Sequence, residues 1–232
     1  MMNNTFIQNY LTKKELSHGT RYLLFQTIFL PSLLSLFNGL LTVRLSAAWL
    51  NALFFTINLA AALWIFHRYL KSSFPVDRKQ LVRILAVGIL FFAVNQGCSR
   101  ILGKLFSSVA PDFSNINDQS IAALLRENFP VMALCTVIFV PITEECFFRG
   151  VLFRGIYDHA PWAAWVCSVM LFGFLHVMNY VGTIPPLSLF FSFLQYIPAG
   201  ICLAASYRLS GSLLCPILIH AAVNAVGLLH MR

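Results

Sequence analysis

Charge is scarce in this chain. Of its 232 residues only 10% are charged and eight are acidic, whereas 59% are hydrophobic and 22 are phenylalanine. A soluble domain carries about 25% charged residues, so the composition excludes an ordinary soluble fold and indicates an integral membrane protein. No C-x-x-C pair occurs among the six cysteines, Cys98, Cys135, Cys146, Cys167, Cys202 and Cys215. That absence removes a thiolate zinc site and a disulfide framework, and leaves free, buried thiols as the expectation. H-E-x-x-H and G-x-S-x-G are also missing, so neither the usual zinc-protease helix nor a nucleophile elbow is present. Ser168 and Ser192 lie in apolar runs, outside any strand-turn-helix setting. There is no internal repeat and no low-complexity tract. The net charge of +8 is scattered between apolar runs rather than gathered in one patch, so it reads as membrane topology and excludes a nucleic-acid partner.

What the chain does have is a series of apolar runs of about 20 residues, the length that crosses a bilayer. They fall at 22–41, 47–66, 82–102, 129–153, 162–180, 187–206 and 212–230. The polar connector 107–128 ends in a short amphipathic stretch, Ile121 to Arg126, suited to the membrane interface. The expected fold is therefore an all-α, polytopic membrane helix bundle of about seven to eight transmembrane helices. The first run is too long for the apolar region of a signal peptide, and no small-x-small cleavage site follows it, so it is expected to be a retained span. The chain divides into a cytoplasmic N-terminal segment (1–21), N-terminal membrane helices with the connector (22–128), and a membrane core (129–230). Lys13, Lys14 and Arg21 in the first segment, with Arg68, Lys71, Arg78 and Lys79 in the loop 67–81, place the N-terminus on the cytoplasmic side by the positive-inside rule.

Against this apolar background a few polar residues stand out. Glu144 and Glu145 end a strongly apolar stretch and are followed by Arg149; His176 closes Phe172-Gly-Phe-Leu-His176; His220 and Asn224 sit in His220-Ala-Ala-Val-Asn224. Ionisable groups at membrane depth are costly and mark functional sites. Residues four apart share a helix face, so Arg149 can neutralise Glu145 while Glu144, about 100° away, stays free to act. Gly173 allows a helix or substrate to approach closely. If 129–153 and 162–180 form a hairpin, Glu144 lies about 14 residues before its turn and His176 about 18 after, within roughly 6 Å of one another in depth. His220 enters its span from the same side, after the turn at Arg208 to Gly211. His18, His67, His159 and His230, in loops or at span ends, receive no role.

Two mechanisms use this set. In one, Glu144 is a general base beside His176, activating water against a peptide carbonyl whose developing charge is held by His220 and Asn224. In the other, Glu144, His176 and His220 ligate a zinc ion that acidifies a bound water. The missing H-E-x-x-H motif favours the first, with no cofactor.

The ordered set Glu144-Glu145-x-x-x-Arg149, Phe172-x-x-x-His176 and His220-x-x-x-Asn224 resembles the CPBP family. That family includes type II CAAX prenyl endopeptidases, bacteriocin-processing or self-immunity (Abi) proteins and related glutamic-type membrane proteases. Gly211-Ser-Leu-Leu-Cys-Pro216 also looks like its lead-in to the third motif. The resemblance covers about 129–230 and implies a helix bundle with a conical cavity open to the cytosol. It implies Glu144 and His176 as activators of water, His220 and Asn224 as oxyanion donors, and Glu145 and Arg149 as their support.

The expected function is an intramembrane endopeptidase of a multi-pass protein in the bacterial inner membrane. It would act in contact with membrane lipids on a peptide or lipid-modified protein. Two readings compete with it. One is a non-catalytic scaffold or immunity protein of the same fold. The other is a transporter, which discontinuous helices at Pro141, Pro198 or Pro216 would support.

Overall fold

The computed structural model describes residues 11–75 and 77–231. The first ten residues of the expected N-terminal segment 1–21 thus lie outside the described residues. The described chain is helical, without strands. Ten helices follow one another: α1 (Lys13–Ile28), α2 (Leu30–Leu40), α3 (Ala47–Ile65), α4 (His67–Ser72), α5 (Arg78–Val109), α6 (Ile116–Glu127), α7 (Phe129–Tyr157), α8 (Pro161–Tyr180), α9 (Pro186–Ser210) and α10 (Leu214–His230). Large apolar side chains on the outer faces, among them Ile89, Leu105, Phe174 and Leu218, are exposed. An apolar exterior of this kind suits lipid rather than water.

Five of these helices, α3, α5, α7, α8 and α9, are long and apolar enough to span a membrane, and six do so if α1 and α2 count as one broken span. The expected count of seven to eight is not confirmed, for two physical reasons. The run 22–41 is bent by 49° between α1 and α2. Pro31, near the start of α2, cannot donate a backbone N–H to the carbonyl of Thr27, so the helix breaks there. The run 212–230 loses its first residues to a turn in which Gly211 adopts φ 70° and caps α9, leaving 17 residues of helix in α10. By contrast, α7, α9 and α10 continue through Pro141, Pro198 and Pro216. The breaks that a transporter reading called for are therefore absent at all three prolines.

The connector is more structured than its composition suggests. Asn115 caps α6 by accepting from the N–H groups of Asn117 and Asp118. At the other end Glu127 accepts from the Ala48 N–H at 2.9 Å. Ser46 makes no side-chain cap to α3, so Glu127 places a carboxylate at that positive helix end instead. The N-terminal helices and the core share one packed interior, in which Phe66 and Tyr69 meet Phe147, Phe153 and Tyr207.

Helices α8 and α9 form a close antiparallel pair because glycines sit where they touch. A Cβ on Gly173 would lie 3.1 Å from the Phe193 ring and 3.4 Å from its carbonyl oxygen. One on Gly200 would lie 3.3 Å from the Val169 Cα and 3.4 Å from its carbonyl oxygen. The close approach expected at Gly173 is thus made by a helix.

Because backbone cannot move aside as a side chain can, Gly200→Ala should destabilise the detergent-solubilised protein by about 1–3 kcal/mol through overpacking. Gly103→Ala, where nothing lies within 4 Å, should be neutral or stabilising. Thermal midpoints of the two variants decide this, and an unchanged midpoint for Gly200→Ala would disprove the contact argument.

Candidate active site

Helix α7 carries Glu144, Glu145 and Arg149, α8 carries His176, and α10 carries His220 and Asn224. Glu145 and Arg149 are fully buried. Arg149 Nη1 donates to Glu145 Oε1 at 3.2 Å, and Nε lies 3.1 Å from Oε2 without the alignment of a hydrogen bond. Nη2 donates to the Gly200 carbonyl at 3.1 Å, and the guanidinium lies 4.8 Å from the centre of the Phe172 ring. Gly200 thus serves two ends, close helix contact with Val169 through its missing Cβ and a backbone acceptor for the guanidinium.

On its other side Glu145 Oε1 accepts from His220 Nδ1 at 2.8 Å. Because an ionised carboxylate only accepts, His220 carries its proton on Nδ1, which leaves Nε2 with a lone pair in the neutral ring. His176 is arranged likewise, with Nδ1 2.7 Å from the Phe172 carbonyl. The two Nε2 atoms face the same carboxylate: Glu144 Oε2 lies 3.8 Å from that of His176 and 3.9 Å from that of His220. Neither distance is a direct hydrogen bond. Three acceptors therefore converge, and Glu144 Oε2 has no hydrogen-bond donor among the described residues. The Glu144 side chain is 26% exposed against 0% for Glu145, which separates the free carboxylate from the paired one.

Asn224 lies one turn beyond His220, and its place follows from the backbone of α7. Wide π-turns occupy Cys135–Phe139 and Cys146–Arg154. In the first, the Val140 N–H bonds to the Cys135 carbonyl, five residues back. The next donor in that register would be Pro141, which has no N–H. The Thr136 carbonyl is therefore left without a backbone partner, and Asn224 Nδ2 donates to it at 2.8 Å.

The donor set of Glu144, His176 and His220 is chemically that of a zinc site. However, among the described residues no three carboxylate, imidazole or thiol groups are placed to hold a metal ion. Ligand bonds of about 2.0–2.1 Å would have to open beyond the tetrahedral angle to span the observed separations. As arranged, these residues do not fit a zinc ion. The other candidates weighed from sequence are occupied or remote. Ser168 donates to the Phe148 carbonyl at 3.0 Å, and Cys146 is fully buried in the apolar interior. All six cysteines are unpaired, but Cys98 and Cys167 are only partly buried.

A cavity of about 260 Å³ opens onto this site. Glu144 and His176 line it together with Thr136, Thr143, Asn58 and Asn117, whereas His220 and Asn224 are not among its lining residues. Sequence reasoning missed Tyr196, whose ring stacks on His176 with centroids 4.2 Å apart and planes 24° apart. Asn117 Nδ2 donates to the Tyr196 hydroxyl at 2.9 Å, so α6 reaches the site through this tyrosine. Polar residues inside apolar runs, such as Thr136, Thr143 and Asn58, were the available signal; nothing in the sequence singled out Tyr196 among many aromatics.

Residues 126–226 match the family model of the type II CAAX prenyl endopeptidases described as Rce1-like. That segment is similar to the Rce1-like family. All six site residues fall within it, and the family is one of CAAX-type membrane proteases. No curated protein and no solved structure matches the chain significantly.

Two substitutions separate the support from the reactive carboxylate. Arg149→Leu should cost about 3–5 kcal/mol of stability, because it strands the buried Glu145 charge. Glu144→Gln, at a part-exposed group, should change stability by less than about 1 kcal/mol. Thermal unfolding of the purified variants tests this, and equal losses for both would contradict the division.

Proposed function

We propose that the protein is an intramembrane endopeptidase of glutamic type, acting on a peptide bond of a membrane-associated or lipid-modified protein. The observation that carries this reading is the free carboxylate of Glu144 at the cavity wall, facing the Nε2 atoms of His176 and His220. A water held by Glu144 and His176 gives one proton to Glu144 as its oxygen bonds to the substrate carbonyl carbon. The electron pair of the C=O bond moves to oxygen. In the second step the C–N bond breaks, and the proton held by Glu144 passes to the leaving nitrogen. Products are a carboxylic acid and an amine, and the enzyme is unchanged.

His220 and the second N–H of Asn224 are the assigned holders of the oxyanion. With Nδ1–H on Glu145, His220 donates from Nε2 only as the imidazolium. Glu145 and Arg149 act by fixing His220 and the α7 helix. The basic loop 67–81 and the N-terminal lysines support a cytoplasmic N-terminus in a bacterial inner membrane. Binding without catalysis explains less, since a scaffold has no need of an unpaired Glu144 between two imidazoles.

The test compares peptide termini in host membranes carrying the wild-type chain with those carrying Glu144→Gln at matched abundance. New termini that depend on Glu144 are expected and would name the substrate. Identical termini in the two membranes, with the variant still supporting the host phenotype, would replace the protease by a binding role.

A further inference from the structure

Five threonines lie inside the described helices. Thr20, Thr27 and Thr56 each donate their hydroxyl to the carbonyl four residues back, at 2.8, 2.8 and 2.7 Å. This back-bonding is the ordinary way for a helical hydroxyl to be satisfied away from water. Thr136 and Thr143 depart from it. They are 9% and 6% exposed, yet each Oγ1 is buried without a hydrogen-bond partner. Both residues line the cavity that holds Glu144 and His176. An unpartnered buried hydroxyl costs folding free energy, so two of them on one cavity wall point to an acceptor that arrives from outside.

The surrounding chemistry says what kind of acceptor it is. While both imidazoles are neutral, Glu144 and the two Nε2 atoms present lone pairs, so before attack the reactive end of the site is rich in acceptors and poor in donors. The amide of Asn224 already spends one hydrogen on the Thr136 carbonyl, and His220 spends its Nδ1 proton on Glu145. Neither residue lines the cavity. Thr136 and Thr143 do line it, and a hydroxyl donates without any change of protonation. A peptide backbone entering the cavity brings carbonyl oxygens, which are strong acceptors that become stronger as negative charge develops during attack.

We propose that Thr136 and Thr143 are substrate-binding residues whose hydroxyls donate to backbone carbonyl oxygens of the bound peptide. They supplement the His220 and Asn224 donors, and the assignment rests on the endopeptidase reading given above.

The test uses the full chain with Thr136→Val and Thr143→Val, each nearly isosteric and lacking only the hydroxyl, and with Thr136→Ser and Thr143→Ser, which keep it. Two readouts are taken: the thermal midpoint of the purified protein, and the rate at which Glu144-dependent termini appear in host membranes. The valine variants should keep or raise the midpoint, because an unpaired hydroxyl is removed, while the rate falls about tenfold or more. The serine variants should restore the rate to within about threefold of wild type. A valine variant that melts lower would show that the hydroxyl has a partner inside the protein, and would overturn the proposal. So would valine variants that cut at the wild-type rate. If wild type and Glu144→Gln give the same termini, the endopeptidase reading itself has failed and the peptide-carbonyl assignment goes with it. That result is distinct from Glu144-dependent cutting that ignores the threonines.

Discussion

A guanidinium with no access to solvent is the constraint around which the membrane core is arranged. Removing Arg149 from water is tolerable only because its charge meets Glu145 within α7, its Nη2 meets the Gly200 carbonyl of α9, and its face meets the Phe172 ring of α8. Glu145 passes the connection to α10 through His220. One ion pair thereby touches all four helices of the core. Such a pair gains little net stability over an apolar substitute. What it does enforce is register: a helix that slid by one residue would lose one of these partners and strand a charge.

The paired carboxylate and the free one are neighbours in sequence, and helical geometry alone sends them to different surroundings. Glu145 turns into the ion pair, and Glu144 turns to the cavity wall. The backbone of α7 contributes to the same end. Its π-turns change which carbonyls are satisfied, and Pro141 removes the donor that would have closed the Thr136 carbonyl. Asn224 is recruited to that vacancy. A proline that looked like a break in the sequence thus acts as the reason for a contact between helices.

Legibility from sequence followed the strength of the physical signal. Charges and imidazoles in apolar runs are expensive enough to be conspicuous, and all six chosen residues converge on one site region. The i, i+4 pairing of Glu145 with Arg149 and the hairpin that brings Glu144 to His176 came from helical rise and period, which hold in any surroundings. Span count was harder, because hydropathy does not register the bend at Pro31 or the turn at Gly211 that shortens α10. Tyr196 and Asn117 escaped because their contacts join residues about 80 positions apart in the chain. Thr136 and Thr143 escaped for a different reason. Threonine in a helix normally bonds to its own backbone, and only coordinates reveal where it does not.

The cavity joins two parts of the chain with different physical character. Its polar floor comes from the segment that matches the family model, where each of the two imidazoles is held by a buried partner. Much of its remaining wall comes from helices before that segment: Thr27 and Pro31 at the bend between α1 and α2, and Phe54, Phe55 and Asn58 on α3. The tight network of α7 to α10 leaves little room for variation, since any change strands a charge or a carbonyl. The bend at Pro31 and the phenylalanines of α3 carry no such obligation and can change shape without disturbing the carboxylate. The walls beside Glu144 therefore come from both halves of the chain, whereas the imidazoles that face its carboxylate come from the second half alone.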